Sequence, residues 1–350
     1  MAVGVRPGHR SALIPLAILL LTAGLPSSAQ PAPAAPSYES LLDAYARGGS
    51  AAQQAVLELA SLPQERVNAM IGGARSLRPD RLHVAVMLHT DTAYALLLAG
   101  TTGSGLFHIG AARRVFAMLK AGRPSDGRTQ AFERRWFAFV ASLYTANSLF
   151  DRAAILIRDA LSAYPRDARL YVARGALLET RLAFTAFDPS SPTQLSRRER
   201  ALEPAAADYR HALELDPHLP IALLRLGALH MIVRDARAPQ NLEAALGAAS
   251  EPIDRYLAYL LLGAVAEGDQ RLDAAERDYE AAQAIAAACQ TPYVALARLA
   301  TARGDEARAL TIASAFANVA EKASDPWWDF HLGGFDQASL NWLRAEARGR

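Results

Sequence analysis

The sequence predicts an all-α chain whose helices pair into antiparallel hairpins and stack as a right-handed α-solenoid. Three observations carry that prediction. Ala, Leu, Arg and Glu dominate while runs of Val, Ile and Thr are rare, which favours helix over sheet. From Tyr38 onward apolar residues recur with a period near 3.6, broken by glycine and proline, and no stretch alternates as a half-buried strand does. Small residues also return at regular distances: Ala141, Gly175, Gly227, Gly263 and Ala297 lie 34, 52, 36 and 34 residues apart.

The 350 residues are 51% hydrophobic and 21% charged, enough apolar material to bury a large core. Thirty-seven basic residues against 35 acidic ones leave a net charge of +2, without the concentrated basic face that a nucleic-acid partner needs. Cys289 is the only cysteine, so no internal disulfide can form, and a lone thiol in an apolar helix reads as core filling.

At the N-terminus Arg6 and Arg10 precede an apolar run from Ala12 to Leu25. Small residues, Ser27 and Ala29, then stand three and one positions before a cut after Ala29. This is the layout of a secretory signal peptide over 1–29. The run's 14 residues fall short of the ~20 that span a bilayer. A cleaved signal is therefore expected rather than a retained anchor, which would make the mature protein periplasmic or secreted. No cysteine near the cut offers a lipid anchor. Residues 30–37 (QPAPAAPS) read as a linker.

An irregular helical region is expected over 38–127. Its helices fall at 38–47, 51–60, 64–77, 81–99 and 106–121, punctuated by Gly48-Gly49, Pro63, Pro79 and the glycines from Gly100 to Gly105. Repeats occupy 128–323. Four residues before each small residue stands a large one: Phe137, Tyr171, Leu223, Tyr259 and Tyr293. Directly before it comes Val140, Arg174, Leu226, Leu262 or Leu296, of which only Arg174 is not apolar. The second helix has columns too. Ala153, Ala205, Ala275 and Ala309 are followed four residues on by Ile157, Tyr209, Tyr279 and Ala313, and three further by Ala160, Ala212, Ala282 and Phe316. Pro165 and Pro217 stop two of these helices.

On these residues the segment resembles the tetratricopeptide repeat (TPR), a 34-residue helix-turn-helix unit, in a protein of the secreted bacterial type. Units fall at 134–167, 168–219, 220–255, 256–289 and 290–323, about 190 of the 350 residues. The clearest is 256–289, with Tyr259, Leu262-Gly263, Ala275, Tyr279 and Ala282. Small residues let paired helices approach closely, and large ones fill the space between hairpins. Two departures stand out. In 220–255 the second-helix positions Asn241, Ala245 and Ala248 lack a large side chain, and 168–219 carries an 18-residue insertion at about 183–202. The insertion either extends both helices or forms a loop on one face. The hairpin 81–121, with Ala93, Ala112, Phe116 and Leu119, reads as a degenerate earlier unit. Residues 324–350 read as a capping segment, in which Trp327 and Trp328 cover the open end of the array and a helix follows over 338–347. The competing reading of the tryptophans is a partner contact point.

The resemblance implies a scaffold that binds another protein along the concave face lined by first helices. Carried over position by position, that face comprises Arg135, Ser142, Arg169, Glu179, Arg225, Met231, Glu267 and Arg298. Four arginines there could pair bidentately with carboxylates, while the two glutamates prevent a simple anion trap. The alternative class is an enzyme or metal-binding protein using the 81–121 hairpin. The sequence holds no P-loop, no G-x-S-x-G elbow, no H-E-x-x-H and no paired-cysteine zinc pattern. His83, His89 and Asp91, with His108, form the best metal candidate. His83 and His89, six residues apart, lie about 120° apart around a helix and share no face. His211 and His218 flank a turn and make no better a set. The run Arg197-Arg198-Glu199-Arg200 reads as a solvated helix face or, alternatively, a docking element. The expectation is a scaffold and not an enzyme, with a protein or peptide partner. No cofactor, metal or catalytic residue is assigned, no nucleic acid is expected, and no membrane span is expected after signal cleavage.

Overall fold

The computed structural model describes residues 36–122, 126–183, 192–320, 322–333 and 337–349. The signal segment and residues 184–191 of the insertion lie outside the described residues. Seventeen α-helices and no strand are found among the described residues, so the fold is all-α, as predicted. None of these helices is long and apolar enough to cross a membrane. The described residues divide into two compact units, one within 137–338 and one formed by 36–136 together with 339–349.

The N-terminal unit begins with α1 (Tyr38–Arg47), α2 (Gly49–Ser61), α3 (Gln64–Gly73), α4 (Pro79–Leu98), α5 (Thr102–Gly122) and the first part of α6 (Gly127–Ala146). Ser37 caps α1, its hydroxyl oxygen accepting the Ser40 N–H. Gly48, at φ +79°, lets the chain turn directly into α2. Helix α4 is buried almost all round from Leu82 to Leu97, with α5 packed along it. Gly105 permits that approach: a Cβ there would lie 2.6 Å from the Leu97 side chain. Ala93, Ala112, Phe116 and Leu119 are all buried.

The second unit contains the remainder of α6, then α7 (Phe150–Ala163), α8 (Ala168–Ala183), α9 (Pro192–Leu215), α10 (Pro220–Ile232), α11 (Ala238–Ala248), α12 (Pro252–Gly268), α13 (Leu272–Ile285), α14 (Thr291–Ala302), α15 (Glu306–Ala317) and α16 (Pro326–Gly333). Helices α8–α9, α10–α11, α12–α13 and α14–α15 pack as hairpins, and each second helix meets the next first helix, giving a TPR-like solenoid. The final helix, α17 (Gln337–Ala347), buries Leu340 and Leu343 and belongs almost wholly to the N-terminal unit.

The glycine column marks where helices touch. A Cβ on Gly175 would lie 2.5 Å from the Tyr209 ring, one on Gly263 2.5 Å from the Tyr279 ring, and one on Gly227 2.6 Å from Leu242. That last contact corrects the phase of the unit 220–255. Its second-helix triplet is Ala238, Leu242 and Ala245, three residues earlier than Asn241, Ala245 and Ala248, and all three side chains are buried. The spacing then equals that of Ala275, Tyr279 and Ala282, and the missing large side chain is Leu242. The described part of the insertion, from Pro192, lengthens the second helix of its hairpin, α9.

Among the described residues, no cap covers the open end of the array. Helix α15 buries no residue, and Leu310 is 69% exposed. Ala313 is exposed and Phe316 meets Tyr293 of its own hairpin, and among the described residues no further hairpin packs on them. The segment expected to cover them runs elsewhere.

Replacing Gly263 by Ala forces the Tyr279 ring, itself fixed in the core, to move. Overpacking of this kind costs about 1–3 kcal/mol. Gly247, with open space around its Cα, is the control: there Ala should be neutral or stabilise by up to ~1 kcal/mol. Thermal unfolding of the two variants should separate them, and equal melting temperatures would disprove the packing role of the glycine column.

Candidate partner-binding site

Along the second unit the first helices are joined by a recurring three-residue link. In α8, Glu179 accepts a hydrogen bond from the Tyr209 hydroxyl of α9 at 2.7 Å, and Arg225 of α10 lies 3.3 Å from the same oxygen. In α12, Glu267 accepts from the Tyr279 hydroxyl of α13 at 2.8 Å, and Arg298 of α14 pairs with it at 2.5 Å. Each link therefore ties a hairpin to itself and to the next. Burial next to a carboxylate raises both tyrosine pKa values, so the hydroxyls stay protonated and donate.

The face presented by these first helices is not empty. After α15 the chain returns across it, from the last hairpin towards the first. Ala323 N–H donates to the Ala288 carbonyl at 3.0 Å. Asp325 accepts from the Tyr256 hydroxyl of α12 at 2.7 Å and from the Thr291 N–H that opens α14 at 2.7 Å, and it also caps α16 through the Trp327 N–H at 3.0 Å. Helix α16 then lies against α8 and α12. Phe330 is buried, its ring centroid 3.9 Å from the Arg225 guanidinium, whose Nη2 donates to the Phe330 carbonyl. Ile221, Ile253 and Leu257 of the first helices line a small cleft with Pro326 and Asp329. At the far end Gly333, at φ +151°, sits so close to α6 that a Cβ would come within 2.7 Å of the Ala146 nitrogen. Burial, with Asp325 nearby, pushes the Asp329 carboxyl up to about 6.

Several residues assigned to the partner face are thus already engaged. Arg225 is fully buried and serves Glu179 and Phe330. Ser142 is buried, its hydroxyl donating to the Ala138 carbonyl of its own helix. Both differ from the free surface residues expected: Ser142 is buried against its own helix, and Arg225 lies on the first-helix face beneath Phe330. Met231 is half-buried against the core. Glu179 and Glu267 are held in the links above. Arg169 is half-buried, and Arg298 keeps 60% of its side chain in solvent. Arg135 belongs to the N-terminal unit, its guanidinium 4.2 Å above the Trp342 ring. Of the tryptophans, Trp327 packs against the core and Trp328 is 53% exposed. Arg197, Glu199 and Arg200 are exposed. Sequence reasoning missed Tyr256, Asp325 and Phe330; the signal available was the acid–proline start of a short helix whose aromatics fit no repeat column.

The N-terminal unit holds a second polar cluster. Three consecutive residues of α4 meet three directions. His89 Nδ1 lies 3.0 Å from His108 Nδ1 of α5 and its Nε2 3.1 Å from the Tyr38 hydroxyl. Thr90 accepts the Trp136 indole N–H at 2.8 Å. Asp91 accepts the Tyr45 hydroxyl at 2.6 Å and two hydrogen bonds from Arg344 of α17, at 2.9 and 3.0 Å. His83 stands apart against Phe132, its Nδ1 bonded to Pro79. Among the described residues no three His, Cys, Asp or Glu side chains come together to hold a metal ion. Burial drives His89 well below the usual imidazole range and His108 down to about 4, so both rings are neutral and one donates to the other.

The fold and this face define a helical-repeat protein of TPR-like architecture. Solved structures resemble it at low identity. PilF of Pseudomonas aeruginosa shares 17% identity over 62% of this chain and 90% of its own, with a TM-score of 0.45. A tetratricopeptide repeat protein from Parabacteroides merdae shares 16% over 73% of this chain and 98% of its own, at 0.40. Yeast Tom70 shares 11% over 95% of this chain and 69% of its own, at 0.45. At these values the likeness is one of helical-repeat architecture and carries no partner or activity to this chain. No protein-family model and no curated protein sequence matches it.

Two predictions follow from the buried charges and rings. Arg225→Ala strands Glu179 in the interior and should cost about 3–5 kcal/mol, whereas Arg298→Ala, at an exposed pair, should cost under ~1 kcal/mol. Denaturant unfolding distinguishes them; similar losses would mean the two links are energetically alike. For the histidine pair, a folded-state pKa below the ordinary 6.5 means that the unfolded chain takes up protons first. The pair's contribution is full above about 6.5 and is lost as pH falls towards about 4. His108→Gln keeps a hydrogen-bonding group beside His89 but takes no proton. Its melting temperature should fall less steeply over that window than the wild type's, and parallel curves would exclude the pair as the acid-sensitive element.

Proposed function

We propose that the protein is a non-enzymatic scaffold outside the cytoplasm that holds a segment of a partner polypeptide on the first-helix face of its repeats. The observation that supports this reading is the occupancy of that face. The chain's own residues 323–333 lie there, gripped through main-chain carbonyls and a carboxylate as well as through side chains. A surface that accepts polypeptide in this way suits a protein partner. The near-balanced charge, 37 basic to 35 acidic residues, favours polypeptide over nucleic acid. The signal-peptide layout of residues 1–29 favours export. Arg169 and Arg298 on the first helices are the outlying positions that a longer partner segment would meet, each contributing modestly and in a salt-dependent way.

Photo-crosslinking amino acids placed in the host cell at Arg169 and Arg298, and for comparison at Ile155 of α7 and Arg210 of α9, test the face. The scaffold reading expects a discrete protein adduct from the first two positions and none from the second-helix positions. Adducts from both sets alike, or from the second-helix positions only, would sink it. N-terminal sequencing of the same material tests export; the expected start is Gln30, and an intact Met1 would refute it.

A further inference from the structure

The segment that fills the first-helix face carries its own recognition chemistry. One carboxylate, Asp325, sits between a tyrosine hydroxyl and the N-terminal amide of α14, where the helix dipole also favours negative charge. Five residues on, one aromatic ring and the main-chain carbonyl of the same residue, Phe330, are both read by Arg225. Between them runs a single short helix.

Three features show that this occupant is held by few points and fits incompletely. Trp328 and Leu332 of the same helix leave 53% and 49% of their surfaces in solvent. The half-buried Asp329 carboxyl sits near a second carboxylate, Asp325, and is held above the usual carboxylate range. The Arg225 Nε–H, buried, finds no acceptor among the described residues. An eight-residue helix is also far too short to be stable alone, so α16 is ordered by the face it occupies.

We infer that residues 324–333 are an intramolecular stand-in for the partner. The true ligand is then a polypeptide segment bearing an acidic helix-capping residue and an aromatic residue five positions later, and it binds by displacing α16. This rests on the scaffold reading above and adds the chemistry of the ligand and the competitor built into the chain. Because the stand-in is tethered, its effective concentration is of millimolar order, so a free segment with the same contacts meets strong competition. Weakening the tethered copy without touching the face must therefore strengthen binding of a free one.

The test uses the full chain, a fluorescein-labelled peptide of residues 322–333 (KASDPWWDFHLG) and fluorescence polarisation. Two substitutions weaken the tethered copy only: Phe330→Ala, and the milder Asp325→Asn, which keeps shape and capping ability. Circular dichroism verifies folding. Each variant should bind the peptide at least tenfold more tightly than the wild type does. A peptide carrying both changes should bind the variants at least tenfold more weakly than the unmodified peptide. Folded variants that bind no peptide, or bind both peptides alike, would overturn the inference, and so would loss of the fold in both variants, since α16 would then be a fixed brace. Crosslinks at Arg169 and Arg298 alongside a failed peptide experiment would leave the scaffold reading standing with a different ligand chemistry. A successful peptide experiment without crosslinks would separate the two the other way.

Discussion

The guanidinium of Arg225 is the point on which the second unit turns. A charge taken wholly out of water loses several kcal/mol of hydration, which only well-placed partners recover. Here the partners come from separate elements. Glu179 supplies the opposite charge from α8, and Phe330 supplies a carbonyl and a ring face from the returning segment. Glu179 is itself steadied by Tyr209 of α9. Tyr209 in turn occupies the space that Gly175 leaves open, since any side chain at that glycine would strike its ring. Small residue, aromatic ring, carboxylate, buried cation and docked segment form one chain of dependence.

The second copy of the link shows what the docked segment changes. Glu267, Tyr279 and Arg298 repeat the arrangement one stage further along, but Arg298 keeps most of its side chain in water. Solvent screening makes that pair weak, whereas the pair beneath Phe330 is shielded and strong in either direction, stabilising when complete and destabilising when broken. The same three residue types thus serve as ordinary hairpin ties at one place and as the floor beneath the docked segment at another. Coverage by α16 makes the difference.

That distinction was only partly legible in the sequence. Hairpin packing was readable because it depends on local periodicity: Gly175, Gly227 and Gly263 recur in phase, and Tyr209 and Tyr279 stand opposite two of them. Aligning the unit at 220–255 to Asn241 puts it three residues out of phase, because its second-helix column begins at Ala238, 11 residues after Gly227, and the large side chain is Leu242. Arg225 was placed on the partner face, and its neighbour there was invisible, since Phe330 is 105 residues away. Periodicity reports that a helix side is polar or apolar; it does not report what covers it. In α4, His89 and Asp91 stand out in the sequence only as members of a metal candidate with His83 and His108, and Thr90 between them carries no signal. Helical geometry sends the three side chains to different neighbours, which is why they bind Tyr38, Trp136 and Arg344 rather than one ion.

The chain's path around α16 bears on how such a segment could be both held and released. Before it, residues 306–317 form the last helix of the array, and after it α17 is fastened in the N-terminal unit by the two hydrogen bonds from Arg344 to Asp91. Neither attachment uses Asp325, Phe330 or Arg225. Lifting α16 from the first helices therefore breaks its own few contacts without requiring either flanking helix to unfold. Its loss would leave Arg225 with Glu179 alone and the Phe330 ring in water, a state of higher energy that an incoming carboxylate and aromatic side chain would relieve. A face that is costly to leave bare, and whose occupant is tethered at both ends, favours exchange of one segment for another over an open groove awaiting a ligand.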